Sequence, residues 1–240
     1  MLIFIAQLTS LSGYQPALRG LLEIPYGYYN SLPSTPDRIL ASRLHWQSLE
    51  FHGLTGGSLV GSILDHVTIP NLRELSFKFR AADYGIHPFP VSTFLSFISR
   101  SCNSCCLLQN LSLSGLILQD DDVLAYTQAT PSLTGLTLEA RSITNQTIRN
   151  LNPNTSPLLP NLQILSISSA RLVVNFSDPY DTMFARSRFG SGKIAQLQTV
   201  KIRAIDADRD IYELRLLRRL ATEGIEISVA NRDFEKWLGF

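Results

Sequence analysis

The stretch Leu108-Gln109-Asn110-Leu111-Ser112-Leu113 places leucines at its first, fourth and sixth positions. Leu111 and Leu113 alternate with Ser112, the period of a short β-strand with one apolar and one polar face. The spacing returns as Trp46-Gln-Ser-Leu49-Glu-Phe51 and Leu72-Arg-Glu-Leu75-Ser-Phe77. It returns again as Leu133-Thr-Gly-Leu136-Thr-Leu138, Leu162-Gln-Ile-Leu165-Ser-Ile167 and Leu197-Gln-Thr-Val200-Lys-Ile202. Ile225-Glu-Ile227-Ser-Val229 is a weaker seventh copy. With the middle apolar residue as marker, the steps are 26 (49 to 75), 36 (75 to 111), 25 (111 to 136), 29 (136 to 165) and 35 (165 to 200).

A unit this small cannot bury its apolar face alone, whereas stacked neighbours share one continuous core. Repeats of roughly 20–29 residues with this leucine spacing are leucine-rich repeats. The pattern predicts an α/β fold: a right-handed solenoid, or horseshoe, of irregular repeats. Parallel strands would line its concave face and helices its convex face. A single domain is expected over residues 1–240. Residues 1–43 form an irregular N-terminal segment or incomplete repeats, 44–229 the repeats, and 230–240 a C-terminal capping helix. The two long steps place insertions at 81–89 and 175–192, rich in Gly, Pro, Asp and Tyr as surface loops are. They lie either on the binding face or in irregular packing.

Between the strands, apolar residues at helical spacing predict helices over 57–66, 90–100, from Asp120 to about Tyr126, 145–151 and 206–222. Pro90 starts one, Thr144 caps another, Pro153 ends it, and Gly224 closes the last. Asp120, Asp121 and Asp122 crowd a helix start, where the dipole favours negative charge. Trp46 and Trp237 are expected to cover the two ends of the stack, the latter on a helix over 231–238.

Composition removes several functional classes. The 240 residues are 45% hydrophobic and 17% charged with a net charge of +1. A broad basic field for duplex nucleic acid is therefore absent, and no nucleic-acid partner is expected. No apolar run approaches the roughly 20 residues that cross a bilayer, so no membrane partner is expected. Met1 to Ala6 is too short for a signal-peptide core. Three cysteines within five positions (Cys102, Cys105, Cys106) make no disulfide framework. The expected location is the cytoplasm or nucleus.

An enzyme is not expected either. The chain holds no Gly-x-Ser-x-Gly elbow, phosphate loop or His-Glu-x-x-His. Cys102-x-x-Cys105 has zinc spacing, and His87 and Cys106 are nearby in sequence, but a second ligand pair is missing. Adjacent carboxylates at 120–122 diverge, so they make a poor cation site. Arg215, Arg218 and Arg219 neighbour Asp208, Asp210 and Glu213, the pattern of an ion-paired solvated face. No cofactor and no metal are predicted.

The outward positions of the strands remain as the candidate site. They are Ser48, Glu50 and His52; Glu74, Ser76 and Lys78; Asn110, Ser112 and Ser114; Thr137 and Glu139; Ser166 and Ser168; Lys201 and Arg203. The middle column runs Glu50, Ser76, Ser112, Thr137, Ser166, Lys201. Small hydroxyls fill its centre, with an acid at one end and a base at the other. The expected partner is a protein. The bland alternative is the solvated side of a sheet.

Three stretches resemble fungal F-box/leucine-rich-repeat proteins: RLHWQSLEF from Arg43, FLSFISRSCNSCCLLQNLSLSGL from Phe94, and TPSLTGLTLE from Thr130. In that family a helix ending in Arg-Ser and a cysteine precedes a leucine-led strand, and a Pro-Ser-Leu-Thr-x-Leu phrase opens the next repeat. The resemblance covers roughly 40–224. It implies a protein-interaction module like the substrate-recognition repeat region of an F-box ubiquitin-ligase subunit. No helical F-box is readable ahead of the repeats, so the cullin-ligase adaptor is an expected partner only if an F-box lies upstream of Met1. The alternative is a truncated structural remnant or fragment with no independent activity. The family's Asn or Cys after the last strand leucine is also replaced, by Leu54, Arg80, Leu116, Arg141, Ala170 and Ile205. Irregular turns are expected at those positions.

Overall fold

A computed structural model of the chain describes residues 18–23, 39–40, 46–54, 61, 64–79, 91–101, 107–140, 143–153, 158–169, 182, 194–204, 219, 221–222 and 225–229. The strands are β1 (Leu18–Glu23), β2 (Ile39–Leu40), β3 (Trp46–Leu54), β4 (Val67–Thr68), β5 (Glu74–Phe79), β6 (Asn110–Leu116), β7 (Gly135–Ala140), β8 (Ile164–Ser169), β9 (Thr199–Ala204) and β10 (Glu226–Val229). The helices are α1 (Val91–Ser101), α2 (Asp120–Ala129) and α3 (Asn145–Asn150). The architecture is mixed α/β. Its main sheet has eight strands in the order β1-β3-β5-β6-β7-β8-β9-β10, every neighbouring pair parallel. Order in the sheet is thus order in the chain, while β2 and β4 pair in a small sheet of their own.

The register puts like with like. Leu49, Leu75, Leu111, Leu136, Leu165 and Val200 are successive partners across the sheet, as are Phe51, Phe77, Leu113, Leu138, Ile167 and Ile202. From β5 to β8 both rows are buried, and Val200 of β9 is buried too. Each such side chain contributes about 1.5–3 kcal/mol by leaving water. Slipping one strand by a residue would turn its whole apolar set to the other face, so burial fixes the register.

Parallel neighbours need a crossover, and from β5 to β8 the three helices supply it. α1 turns Phe94, Phe97 and Ile98 into the core shared with the strand leucines, at the spacing of one helix face. α2 adds Val123 and Tyr126, and α3 adds Ile148. Phe94 meets the Tyr126 ring edge-on, with centroids 4.7 Å apart and planes at 71°, a favoured aromatic geometry.

The turns ahead of β5, β7 and β8 share one form. Ile69-Pro70-Asn71-Leu72, Thr130-Pro131-Ser132-Leu133 and Leu159-Pro160-Asn161-Leu162 each close by a bond from the fourth N–H to the first carbonyl, at 3.3, 3.2 and 3.1 Å. Proline presets the second position of such a turn. The third turn holds Leu159 at φ 49°, a left-handed conformation that costs about 1–2 kcal/mol in a side-chain-bearing residue and is offset by complete burial of that leucine. One carbonyl then serves two successive N–H groups of the next repeat. Arg73 O accepts from Gln109 and Asn110 (2.7 and 2.9 Å), Gln109 O from Thr134 and Gly135 (2.8 and 2.9 Å), and Thr134 O from Gln163 and Ile164 (2.8 and 2.9 Å).

Two of the strand ends that lack the Asn lie among the described residues, and the register shifts at each, between His52 and Leu54 and between Ser114 and Leu116. Leu54 ends β3 and Leu116 ends β6, where it is buried. In β6, Gly115 takes φ 76° to allow the shift. Arg80, Arg141, Ala170 and Ile205 lie outside the described residues.

Side chains also stitch neighbouring repeats together. The Arg100 guanidinium donates to Leu64 O at 2.6 Å, and Ser101 Oγ accepts the Ile69 N–H at 3.1 Å. The Arg-Ser ending of α1 therefore reaches back one repeat. Asp120 reaches forward. Its carboxylate accepts from the Thr144 N–H (3.1 Å), the Thr144 hydroxyl (2.7 Å), the Thr147 N–H (3.2 Å) and the Thr147 hydroxyl. Thr144 in turn accepts from Gln146 N at 3.1 Å, so it caps α3 as its sequence position predicts.

α1 and α3 fall within a residue of their expected spans, and α2 runs three residues further, to Ala129. Residues 61 and 64–66, and 219, 221 and 222, are helical within the expected 57–66 and 206–222 helices. The rest of the latter, and 231–238 with Trp237, lie outside the described residues. One expectation is corrected. Trp46 opens β3, but β1 pairs beyond it, so the strand of Trp46 is not the end of the sheet. Insertion 81–89 lies outside the described residues. Within 175–192, Thr182 is buried and its hydroxyl donates to Ile148 O of α3 at 3.2 Å. At that point the insertion touches the helix layer.

Candidate binding surface

All the outward positions read from the sequence fall into three rows across β3, β5, β6, β7, β8 and β9. The middle row is Glu50, Ser76, Ser112, Thr137, Ser166, Lys201, each the register partner of the next. A second row is His52, Lys78, Ser114, Glu139, Ser168, Arg203, and a third begins Ser48, Glu74, Asn110. Ser48, Glu50, His52 and Arg203 are placed by register. Of the others, Lys78 and Lys201 are exposed, Ser114 is buried, and the remainder are half-buried.

The third row continues through Gly135, Ile164 and Thr199, which a search for polar outward residues passes over. The signal was there: each stands two residues before a middle-row residue, as Glu74 stands before Ser76. Ile164 is 44% exposed, unusual for a strand isoleucine beside a core.

Among the described residues three side-chain contacts cross strands, one of them from the Thr199 hydroxyl of β9 to Glu226 Oε2 of β10 at 3.2 Å. Ser114 donates to the Glu139 carboxylate at 2.5 Å, and the Asn110 amide donates to Glu74 Oε1 at 3.4 Å. Gly135 leaves the other side of Asn110 open, and the Asn110 amide oxygen leans into the place a Cβ would occupy. These gaps make a concavity of about 320 Å³ over β5 to β8, bordered by Glu74, Asn110, Gly135 and Ile164, with Ser76 and Thr137 alongside.

No family model, curated protein or solved structure matches the chain. The surface is therefore characterised by its own residues. Among the described residues, no group of three or more His, Cys, Asp or Glu could hold a metal, and no helix is long and apolar enough to cross a membrane. His87, Cys102, Cys105, Cys106, Arg215 and Arg218 lie outside the described residues.

The acidic run at the start of α2 is taken up in the scaffold. Asp122 accepts from Gln119 N at 2.9 Å, while Asp120 turns to α3. Partial burial of Asp120 raises its carboxyl pKa, but the four hydrogen bonds from Thr144 and Thr147 outweigh it and hold the value below the ordinary 3.8. Among the described residues, the strand face offers a polar, small-residue surface with a concavity over Gly135 and the exposed Ile164.

Proposed function

We propose that this chain is a leucine-rich-repeat module, a right-handed solenoid whose strand face binds a segment of another protein. It would work as the substrate-recognition repeats of an F-box ubiquitin-ligase subunit do, in the cytoplasm or nucleus, and catalyse nothing itself. The observation that carries the reading is the alignment of two polar rows and a mixed third row on one side of an all-parallel sheet. Parallel sheets are normally covered on both faces, and here strands alternate buried and half-exposed residues instead. Right-handed crossovers are the rule for parallel strands, which supports the handedness. The small hydroxyls of Ser76, Ser112, Thr137 and Ser166 would let a partner backbone approach closely. Contact with the cullin-ligase adaptor would require an F-box ahead of the repeats, and only a product carrying one is expected to co-purify with that adaptor.

The test is selection of displayed protein fragments against the purified chain, followed by calorimetry with a selected fragment. Ser112→Arg combined with Thr137→Arg should weaken binding at least tenfold, about 1.4 kcal/mol. Gln146→Arg, on the exposed side of α3, should change it little. Equal losses in both variants, or none in the strand-face variant, would remove the strand face from the role.

A further inference from the structure

The geometry points to the concavity over Gly135 as a subsite for one basic side chain of the partner, arginine above all, with Glu74 as its counter-ion. This deepens the strand-face reading and rests on it for the occupant being part of a polypeptide.

Among the described residues, Glu74 is the one charged residue that lines the concavity. It is half-buried, and its hydrogen bond from Asn110 is long, at 3.4 Å against the usual 2.7–3.2 Å. A carboxylate accepts about four hydrogen bonds, and among the described residues this long one is the bond it receives. Lys78, on the same strand and face, is four residues away, roughly 13 Å at strand rise. It does not supply the missing charge: among the described residues, Asn110 is the hydrogen-bond partner of Glu74.

A second acceptor is aimed at the same space. Because Asn110 directs its amide N–H₂ to Glu74, its carbonyl oxygen is turned toward Gly135. Two acceptors side by side, one charged, suit the fork of donors on a guanidinium better than a single ammonium. The far wall suits the rest of such a side chain. Gly135 presents no side chain, and Ile164 offers exposed methyl groups on the next strand. An aliphatic stem laid against Ile164, beside the Asn110 oxygen that covers Gly135, would leave its charged head toward Glu74. Neither an acidic side chain, repelled by Glu74, nor a purely apolar one, which would strand both acceptors, matches this arrangement.

The probe is N-acetyl-arginine methylamide, titrated into ¹⁵N-labelled protein, with the neutral citrulline counterpart as control. The arginine probe should shift the amides of Asn110, Gly135 and Ile164 with a dissociation constant on the order of 1–10 mM, typical of a single small side chain. Citrulline should bind at least fivefold more weakly, and Glu74→Gln should weaken the arginine probe about tenfold. No shifts up to about 50 mM, equal binding of citrulline, or an unchanged constant in Glu74→Gln would overturn the subsite. Fragments selected against the whole chain should carry Arg or Lys at one fixed position. If the arginine probe binds as stated and no fragment is selected, the subsite stands and the polypeptide reading falls. If fragments bind the strand face without a fixed basic residue, the subsite falls and the polypeptide reading stands.

Discussion

The amide oxygen of Asn110 occupies the space that a Cβ on Gly135 would take. The obstructing atom is the tip of a flexible side chain, and Gly135 has no positive φ to lose. Gly135→Ala should therefore swing Asn110 aside at small cost, within about 1 kcal/mol of wild type by urea denaturation. The Asn110 side-chain amide signals should move as its bond to Glu74 breaks.

Gly115 contrasts with it. A Cβ there would lie 2.6 Å from the backbone carbonyl oxygen of Phe79, and φ is 76°. Neither obstacle can move without shifting a strand. Gly115→Ala is expected to destabilise by about 2 kcal/mol or more, read as a lower urea midpoint at constant slope.

Asp120 makes stability depend on acid. Its folded carboxyl titrates below the ordinary 3.8, so its contribution is present above that value and is lost as pH falls through the folded pKa. Asp120→Asn should be less stable than wild type at pH 7 by about 1 kcal/mol, a figure kept low because the group is only partly buried. The difference should shrink steadily below pH 4, and a gap that persists at pH 2 would contradict the charge-based account.

Ser101 satisfies a buried N–H in the preceding repeat. Ser101→Ala leaves the Ile69 amide without that acceptor and should cost about 1–3 kcal/mol. Amide hydrogen exchange at Ile69 should accelerate more than at Leu113, which sits inside the sheet ladder.

Ile164→Thr tests the surface from the other side. A 44% exposed residue contributes little to the fold, so stability should stay within about 0.5 kcal/mol while the arginine probe and any selected fragment bind more weakly.

The strands were legible because each marker pair, such as Leu75 with Phe77, repeats a period that only one backbone satisfies. Their register was legible too, since lining up the markers lines up Ser76, Ser112 and Thr137. β1 was not. Its register partner for Leu49 is Gly20, so the marker leucine is missing although Leu22 pairs with Phe51. The two-residue β2 and β4 are too short to show any period. On the surface, Gly135 and Ile164 escaped because a polar search discards both, yet the concavity depends on a side chain that is absent. The stitches made by Arg100, Ser101 and Asp120 join residues 24 to 36 apart, and spacing alone does not distinguish them from solvated polar residues.

Each strand of the main sheet lies beside the one synthesised just before it. The N-terminal strands thus have their partners ready as soon as the chain emerges, and none waits for the C-terminus. Loop closure is short at every step. Such a sheet can assemble vectorially during translation, each new strand adding to a template already in place.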